Sequence, residues 1–194
     1  MKATVAALVC SLMVSSLALA QPASGGTNVN AQHASAPKIV EAGGFTVVGI
    51  AARTTNAKEM TPEGIIGRLW ARLYQEGILA AIPNRAGSNV IAVYTDYASD
   101  EKGEYTFLLG AKVTSSDHLP ASLVTKQVPA GRYAVFTSDK GPVQQVVPQA
   151  WMRVWSTPRT DPAGMRVFKA DFEVHDERSA DPQSSVVDVY VGIK

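Results

Sequence analysis

Cysteine is nearly absent from this 194-residue sequence: Cys10 is the only one, and it lies in an apolar run at the N-terminus. If that run is removed, the remaining chain can form no disulfide, no cysteine nucleophile and no thiolate metal site. A surplus of charge is also lacking, because 18 Lys and Arg residues stand against 17 Asp and Glu residues, for a net charge of +1. A strongly basic surface of the kind that binds nucleic acid is therefore not expected.

Apolar runs long enough to span a membrane are lacking after residue 20. Lys2 precedes an uncharged stretch of Ala, Val and Leu, which ends in the small-x-small pattern Ala18-Leu19-Ala20. These features predict that residues 1–20 are a signal peptide, cleaved after about Ala20, and that the protein is exported to the periplasm or secreted, with no membrane partner afterwards. A retained membrane anchor is the alternative. Residues 21–37, rich in Pro, Ala, Ser and Gly, predict a flexible linker.

Residues 38–194 form the predicted folded domain, with the alternating and helical patterns of an α+β protein. One helix is predicted from Thr61-Pro62-Glu63 to about Ala80, and another from Pro142, with a kink at Pro148. Period-two alternation predicts strands at residues 38–54, 90–97, 105–113, 123–128, 133–137, 168–175 and 186–193.

The two halves of this domain resemble each other, since each is predicted as strand, helix, strand, strand. Residues 106–112 align with residues 188–194, with identical residues at Gly110/Gly192 and Lys112/Lys194. We interpret the fold as duplicated β-α-β-β units with pseudo-two-fold symmetry, antiparallel sheets and one helix per half. Chance similarity of two amphipathic strands is the alternative.

Strand alternation predicts one sheet face covered by helices and one open face. Val187, Val189, Val191 and Ile193 are assigned to the covered face, whereas Asp171, Glu173 and His175 fall on the side opposite Phe172. Tyr94 and Tyr190 are assigned to the same open face as Glu173. We expect this open face to become a concave wall of acids and tyrosines, with Asp171 itself as surface charge.

Several segments together resemble the effector-binding domain of the GyrI-like (gyrase-inhibitor-like) family. Such domains occur alone or as the sensing end of AraC-type and MerR-type regulators, and the resemblance covers about Lys38 to Lys194. It implies an effector-binding fold of the SOUL/AraC type, with a ligand cleft between the two halves. The segments are Trp70, Ile82-Pro83-Asn84, residues 92–97, residues 103–110, residues 129–136, residues 150–155 and residues 171–176.

The resemblance implies binding of a small organic ligand that is cationic or aromatic. Its key acid falls on Glu173 in the motif Phe172-Glu173-Val174-His175, where His175 replaces an aromatic residue of the family. The predicted ligand contacts are Glu173, Tyr94, Tyr133, Trp151, Trp155 and Tyr190. A solvated strand acid is the alternative for Glu173, and packing in the core is the alternative for the two tryptophans.

No metal site, cofactor or nucleic-acid partner is predicted, because His33, His118 and His175 are far apart and lack supporting ligands. Binding without catalysis is favoured. Some family members are hydrolases, however, so the resemblance leaves open a hydrolase of reactive electrophiles with Glu173 as general base. A periplasmic protein-interaction module is a third reading. The sequence identifies neither the ligand nor the oligomeric state.

Overall fold

The computed structural model describes residues 35–194. The predicted signal peptide and most of the predicted linker lie outside these residues. Within them, no helix is long and apolar enough to cross a membrane. The strands are β1 (Lys38–Ala42), β2 (Phe45–Thr54), β3 (Val90–Thr95), β4 (Tyr105–Val113), β5 (Val124–Val128), β6 (Gly131–Thr137), β7 (Arg166–His175) and β8 (Asp188–Ile193), and the α-helices are α1 (Asn56–Glu59), α2 (Ile66–Gln75), α3 (Ile78–Ala81) and α4 (Val143–Ser156).

The helical region of the first half differs from its prediction. The helix expected from Thr61 to Ala80 is two shorter helices, α2 and α3, and α1 precedes them. The prediction of one helix per half is therefore wrong for this half. Thr55 caps α1, since its Oγ1 accepts a hydrogen bond from Lys58 N at 3.1 Å. Glu59 accepts hydrogen bonds from the N–H groups of Ile65 and Ile66, which fixes the start of α2. Gly77, with a φ of 64°, separates α2 from α3.

The eight strands form one antiparallel sheet in the order β1-β6-β8-β7-β3-β4-β2-β5. Residues directly opposite each other on neighbouring strands share a face. Glu173 on β7 lies opposite Ala92 on β3 and Val189 on β8. The α+β class is confirmed, as is the packing of Val189 towards the helices.

One face of the sheet is covered by α2 and α4. Leu69 and Leu73 of α2 and Trp151 and Val154 of α4 belong to the same buried cluster as Val189. Because Glu173 shares the face of Val189, it points towards the helices. Its assignment to an open face, away from the helices, was therefore wrong. The assignment of Tyr94 to the open face was wrong for the same reason, because Tyr94 pairs with Phe107 and belongs to the same buried cluster.

The other face carries a second apolar cluster. We call it the rear cluster; it contains Val47, Ile91, Val93, Leu108, Val128, Tyr133 and Phe172, with Phe45 and Tyr190 packed against them. The rings of Phe45 and Phe172 lie 5.2 Å apart. In a flat sheet, three strand spacings and six residues of offset would separate them by roughly 20 Å or more. The sheet therefore coils around the rear cluster. This coiling buries the rear face of the sheet, while α2 and α4 bury the other face.

Candidate ligand-binding site

A cavity of about 340 Å³ lies between α4 and the α1–α2 segment. Ile66, Val147 and Pro148 supply aliphatic surface, and Met60 lies at its exposed edge. Five aromatic side chains also line it: Tyr94, Tyr97, Tyr105, Trp151 and Trp155. We call this space the aromatic cavity.

The rings of the aromatic cavity contact one another and hold each other in place. The centroids of Tyr94 and Trp151 lie 4.7 Å apart at an interplanar angle of 63°, which is an edge-to-face contact. Tyr105 lies 5.6 Å from Tyr94, and Trp155 lies 6.2 Å from Trp151. Trp155 is 47% exposed, so it forms the rim, whereas Tyr94 and Trp151 are buried and form the base.

Glu173 lies directly beneath this base and is only 2% exposed. Tyr94 Oη donates to Glu173 Oε1 at 2.6 Å, and Trp151 Nε1 donates to the same oxygen at 2.7 Å. His175 Nε2 lies 2.8 Å from the other oxygen, Oε2. Glu173 is not itself among the residues that line the cavity. Its carboxylate is therefore joined to the cavity through the polar ends of two wall residues.

The environment keeps Glu173 ionised. Burial acts to raise its pKa, but the hydrogen bonds from His175, Trp151 and Tyr94 and the charge of His175 outweigh burial, so the pKa of Glu173 is lowered. Burial, together with the Glu173 charge and hydrogen bond, raises the pKa of Tyr94 well above its ordinary value. Tyr94 therefore stays a hydroxyl donor. Because an ionised carboxylate only accepts, His175 Nε2 must carry a hydrogen to bond it.

A second buried acid lies two residues earlier on β7, on the same face. Asp171 has no exposed surface and accepts hydrogen bonds from Arg166 Nη2 (2.6 Å), Tyr97 Oη (2.7 Å) and Gly192 N (2.9 Å). The expectation that Asp171 is surface charge was wrong. Sequence reasoning did not anticipate this because its partner Arg166 precedes an irregularity in the β7–β8 pairing. Arg166 and Tyr97 both line the aromatic cavity.

Two carboxylates, Glu59 and Glu101, do line the cavity. Glu59 is held by Thr54 Oγ1 and by the N–H groups that begin α2, and Glu101 pairs with Arg159 at 3.1 Å. Sequence reasoning missed Glu59, Tyr97 and Tyr105 as wall residues. For Tyr105 a signal existed, because it alternates with the inward-facing Phe107. Among residues 35–194, no group of His, Cys, Asp or Glu side chains could hold a metal ion.

The six predicted ligand contacts fall into three groups. Tyr94, Trp151 and Trp155 line the aromatic cavity, and Glu173 lies beneath it. Tyr133 and Tyr190 belong to the rear cluster, on the opposite face of the sheet, where Tyr190 stacks on Phe172 at 4.5 Å. Placing these two tyrosines beside Glu173 was wrong, because Tyr190 pairs directly with Phe172, which points away from Glu173. That the remaining four contact a ligand stays a prediction.

Comparison with known proteins identifies the family. The family model described as Cass2, integron-associated effector binding protein, matches residues 38–193. The chain belongs to this family. The similarity to GyrI-like domains is thereby confirmed, and the Cass2 family is one of effector-binding proteins. In Bacillus subtilis (strain 168), the protein YobU is 37% identical over 147 residues, which cover 75% of this chain and 90% of YobU.

Solved structures share the fold of this Cass2 family member. The Vibrio cholerae integron cassette protein VCH_CASS2 is 30% identical, with a TM-score of 0.65 over 82% of this chain and 96% of that protein. The protein SAV2435, solved bound to tetraphenylphosphonium, has a TM-score of 0.66 at 19% identity over 81% of this chain and 93% of its own. At 19% identity, the similarity to SAV2435 shows a shared fold alone.

Proposed function

We propose that this protein binds a small organic ligand that is both cationic and aromatic, in the aromatic cavity. The observation that carries the proposal is the buried, ionised Glu173, which accepts hydrogen bonds from two rings of the cavity wall, Tyr94 and Trp151. A volume of about 340 Å³ suits a small molecule.

The physical basis is the attraction of a cation to ring faces in a region poor in water. Each favourable contact between a cation and a Tyr or Trp face contributes about 0.5–2 kcal/mol. A carboxylate behind the rings adds a charge attraction that solvent screens only weakly. Among residues 35–194, the cavity lining carries two carboxylates, Glu59 and Glu101, and one cation, Arg166. Asp171 pairs with Arg166 and Arg159 pairs with Glu101, so Glu59 contributes the negative charge on the cavity side.

Two comparisons support this ligand class. The structural neighbour SAV2435 was solved bound to tetraphenylphosphonium, a cation surrounded by four aromatic rings. The family itself is one of effector-binding proteins. We extend the cation preference to this chain because its cavity has the ring and carboxylate chemistry that such a ligand requires.

The position of the cavity fits a duplicated origin of the fold. The order β2-β4-β3 in one half of the sheet matches β6-β8-β7 in the other, and the two runs meet at the β3–β7 pair. We propose that two β-α-β-β units related by a pseudo-two-fold axis form this sheet. The cavity then lies between them, since α1–α2 comes from one unit and α4 from the other.

The hydrolase alternative has less support. A general base must come within hydrogen-bond reach of the proton that it abstracts. Both oxygens of Glu173 already accept hydrogen bonds from protein groups, and Glu173 does not line the cavity. No contact among residues 35–194 favours the protein-interaction reading. Binding is therefore the function that the geometry supports best.

We further propose that the ligand is captured outside the cytoplasm, because residues 1–20 have the pattern of an export signal. Expression of the full chain in a Gram-negative bacterium, followed by fractionation and N-terminal sequencing, tests this. A mature N-terminus near Gln21 in the periplasm or medium is expected. An intact Met1 in the cytoplasm would contradict export without affecting the binding proposal.

Calorimetric titration with tetraphenylphosphonium and with benzyltrimethylammonium tests the binding proposal. Glu173→Gln, which keeps the side-chain volume but removes the charge, should weaken binding by roughly tenfold, the effect of one charge across a water-poor wall. Glu76→Gln is the matched control, because it removes the same charge from an exposed carboxylate at the end of α2. No binding of either cation, or equal affinity in Glu173→Gln and wild type, would refute the proposal.

A further inference from the structure

Arg166 brings an unsatisfied hydrogen-bond donor to the wall of the aromatic cavity. Its side chain is only 8% exposed, and it lines the cavity. Nη2 donates to Asp171 Oδ2 at 2.6 Å, but Nε is buried and has no hydrogen-bond partner among residues 35–194. Buried donors almost always have a partner. An unpaired donor on a residue that lines a cavity therefore requires an explanation.

The guanidinium of Arg166 is held in place by the protein. Asp171 binds one of its nitrogens, and the ring of Phe168 packs against it, with Cζ 4.3 Å from the ring centroid. The Phe168 ring also contacts Tyr97 edge to face, at 5.6 Å. Phe168 has a φ of 52°, a left-handed conformation that bulky residues rarely adopt. Backbone strain of this kind is concentrated at functional sites, which supports a binding role for this segment.

We propose that the guanidinium of Arg166 donates a hydrogen bond to an uncharged oxygen of the ligand, so that the aromatic cavity selects cations that carry a carbonyl group at the end opposite the charge. This inference rests on the proposed function, in which Glu173 attracts the cation. Asp171, which holds Arg166, lies two residues before Glu173 on the same face of β7. Two residues of a strand span roughly 7 Å. A benzyl cation with a carbonyl group in the para position separates its two ends by a similar distance.

The charges near Arg166 favour a neutral acceptor over a carboxylate. Asp171 already pairs with Arg166, so the pair carries no net charge. Glu59 also lines the cavity and would repel a second anionic group. An arginine has five N–H donors, so a carbonyl oxygen can accept a hydrogen bond from Arg166 while Asp171 stays bound. A carbonyl group therefore satisfies the donor without adding a charge.

A second, smaller cavity of about 110 Å³ also has Arg166 in its lining, with Arg159, Gly164, Met165 and Lys194. This volume is well below the roughly 300–1,000 Å³ of small-molecule pockets, and the lining contains no aromatic ring. A cationic aromatic ligand should therefore reach Arg166 from the aromatic cavity. A small inorganic anion is the occupant that would suit the smaller cavity, so the experiment includes one.

The test compares cations of nearly equal shape by calorimetric titration. The compound para-acetylbenzyl-trimethylammonium carries the acceptor, and para-isopropenylbenzyl-trimethylammonium has a methylene group in place of the carbonyl oxygen. The wild type should bind the acetyl compound roughly tenfold more tightly, the effect of one hydrogen bond from a charged donor. The para-carboxybenzyl compound should bind less tightly than the acetyl compound.

The variant Arg166→Met/Asp171→Asn removes one charge of each sign and leaves neither partner as an unpaired buried charge. Its affinities for the acetyl and isopropenyl compounds should become equal. Arg72→Met/Glu76→Gln is the matched control, because it removes an exposed ion pair at the end of α2 and should keep the wild-type preference. In nitrogen-edited NMR of the wild type, a guanidinium N–H signal of Arg166 should move downfield with the acetyl compound and not with the isopropenyl compound. Thermal unfolding checks that each protein is folded.

Each outcome decides the inference. Equal wild-type affinities for the acetyl and isopropenyl compounds would overturn it and leave the proposed function intact. A preference that persists in the Arg166 variant, or tightest binding of the carboxybenzyl compound, would overturn it as well. A shift of the guanidinium signal with inorganic phosphate alone would place the donor in the smaller cavity, with the same consequence. If no cation binds, the proposed function and the inference fail together. Should the Arg166 variant fail to fold, the NMR signal of the wild type still decides.

Discussion

Arg166 Nη2 lies 2.6 Å from Asp171 Oδ2, and their side chains are only 8% and 0% exposed. Removing one member of a buried pair leaves the other charge without compensation, which costs about 3–5 kcal/mol. Arg166→Met should therefore lower the free energy of unfolding by about this amount in urea denaturation. The double variant Arg166→Met/Asp171→Asn should cost less than the sum of the two single changes. A loss below about 1 kcal/mol for Arg166→Met would show that the pair behaves as an exposed one.

Glu173 should make the free energy of unfolding depend on pH in the acid range. Its folded-state pKa lies below the ordinary value of 4.5, because the hydrogen bonds to the carboxylate outweigh the effect of burial. The stabilisation that it contributes is therefore present above about pH 4.5 and lost as the pH falls through the lowered folded pKa. The difference in free energy of unfolding between wild type and Glu173→Gln should shrink from pH 6 to pH 3.

Urea unfolding at several pH values measures this difference. Tyr190→Phe serves as the control, because it removes no carboxylate and lies in the rear cluster. The difference in free energy of unfolding between Tyr190→Phe and wild type should be the same at each pH. A Glu173→Gln difference that is constant with pH would mean that the carboxylate is not preferentially stabilised in the folded state.

Strand positions were predictable from the sequence, but the faces of the sheet were not. The predicted strand at residues 105–113 matches β4 at both ends, because alternation and a polar turn define it. Alternation also separated Glu173 correctly from Phe172. Alternation could not show whether the face with Glu173 or the face with Phe172 packs against the helices, because the coiled sheet buries apolar residues on both faces. Phe172 looked like a residue facing the helices only because the rear cluster was not anticipated.

Other parts of the site depend on contacts between distant segments. The start of α2 is fixed by Glu59, a residue outside that helix, so the cap pattern Thr61-Pro62-Glu63 placed the start of the helix too early. Arg166 lies just before Phe168, which has a φ of 52°, and this irregular backbone breaks the alternation that would have placed it. Trp151 was identified from its helix stripe, but its bond to Glu173 needs the tertiary fold.

Gly110 and Gly49 face each other on β4 and β2 at close range. A Cβ atom on Gly110 would lie 1.9 Å from Val48 O, so any side chain there must push the two strands apart. Gly110→Ala should lower the free energy of unfolding by about 1–3 kcal/mol or more. Gly87→Ala is the control, since a Cβ atom there meets nothing within 4 Å. Equal stabilities of the two variants would contradict the close strand contact.

Substitution of Tyr94 and of Tyr133 by Phe tests which face of the sheet binds the ligand. Both hydroxyl groups donate one hydrogen bond, from Tyr94 to Glu173 Oε1 at 2.6 Å and from Tyr133 to Pro129 O at 2.8 Å. Tyr94→Phe should lose about 1.5–3 kcal/mol of stability, because it removes a hydrogen bond to a charged group, although Trp151 still donates to the same oxygen. Tyr133→Phe should lose about 0.5–1.5 kcal/mol, because it removes an ordinary hydrogen bond to a carbonyl. Only Tyr94→Phe should change the affinity for benzyltrimethylammonium, because Tyr133 lies in the rear cluster. A change in affinity for Tyr133→Phe alone would place the ligand on the opposite face of the sheet.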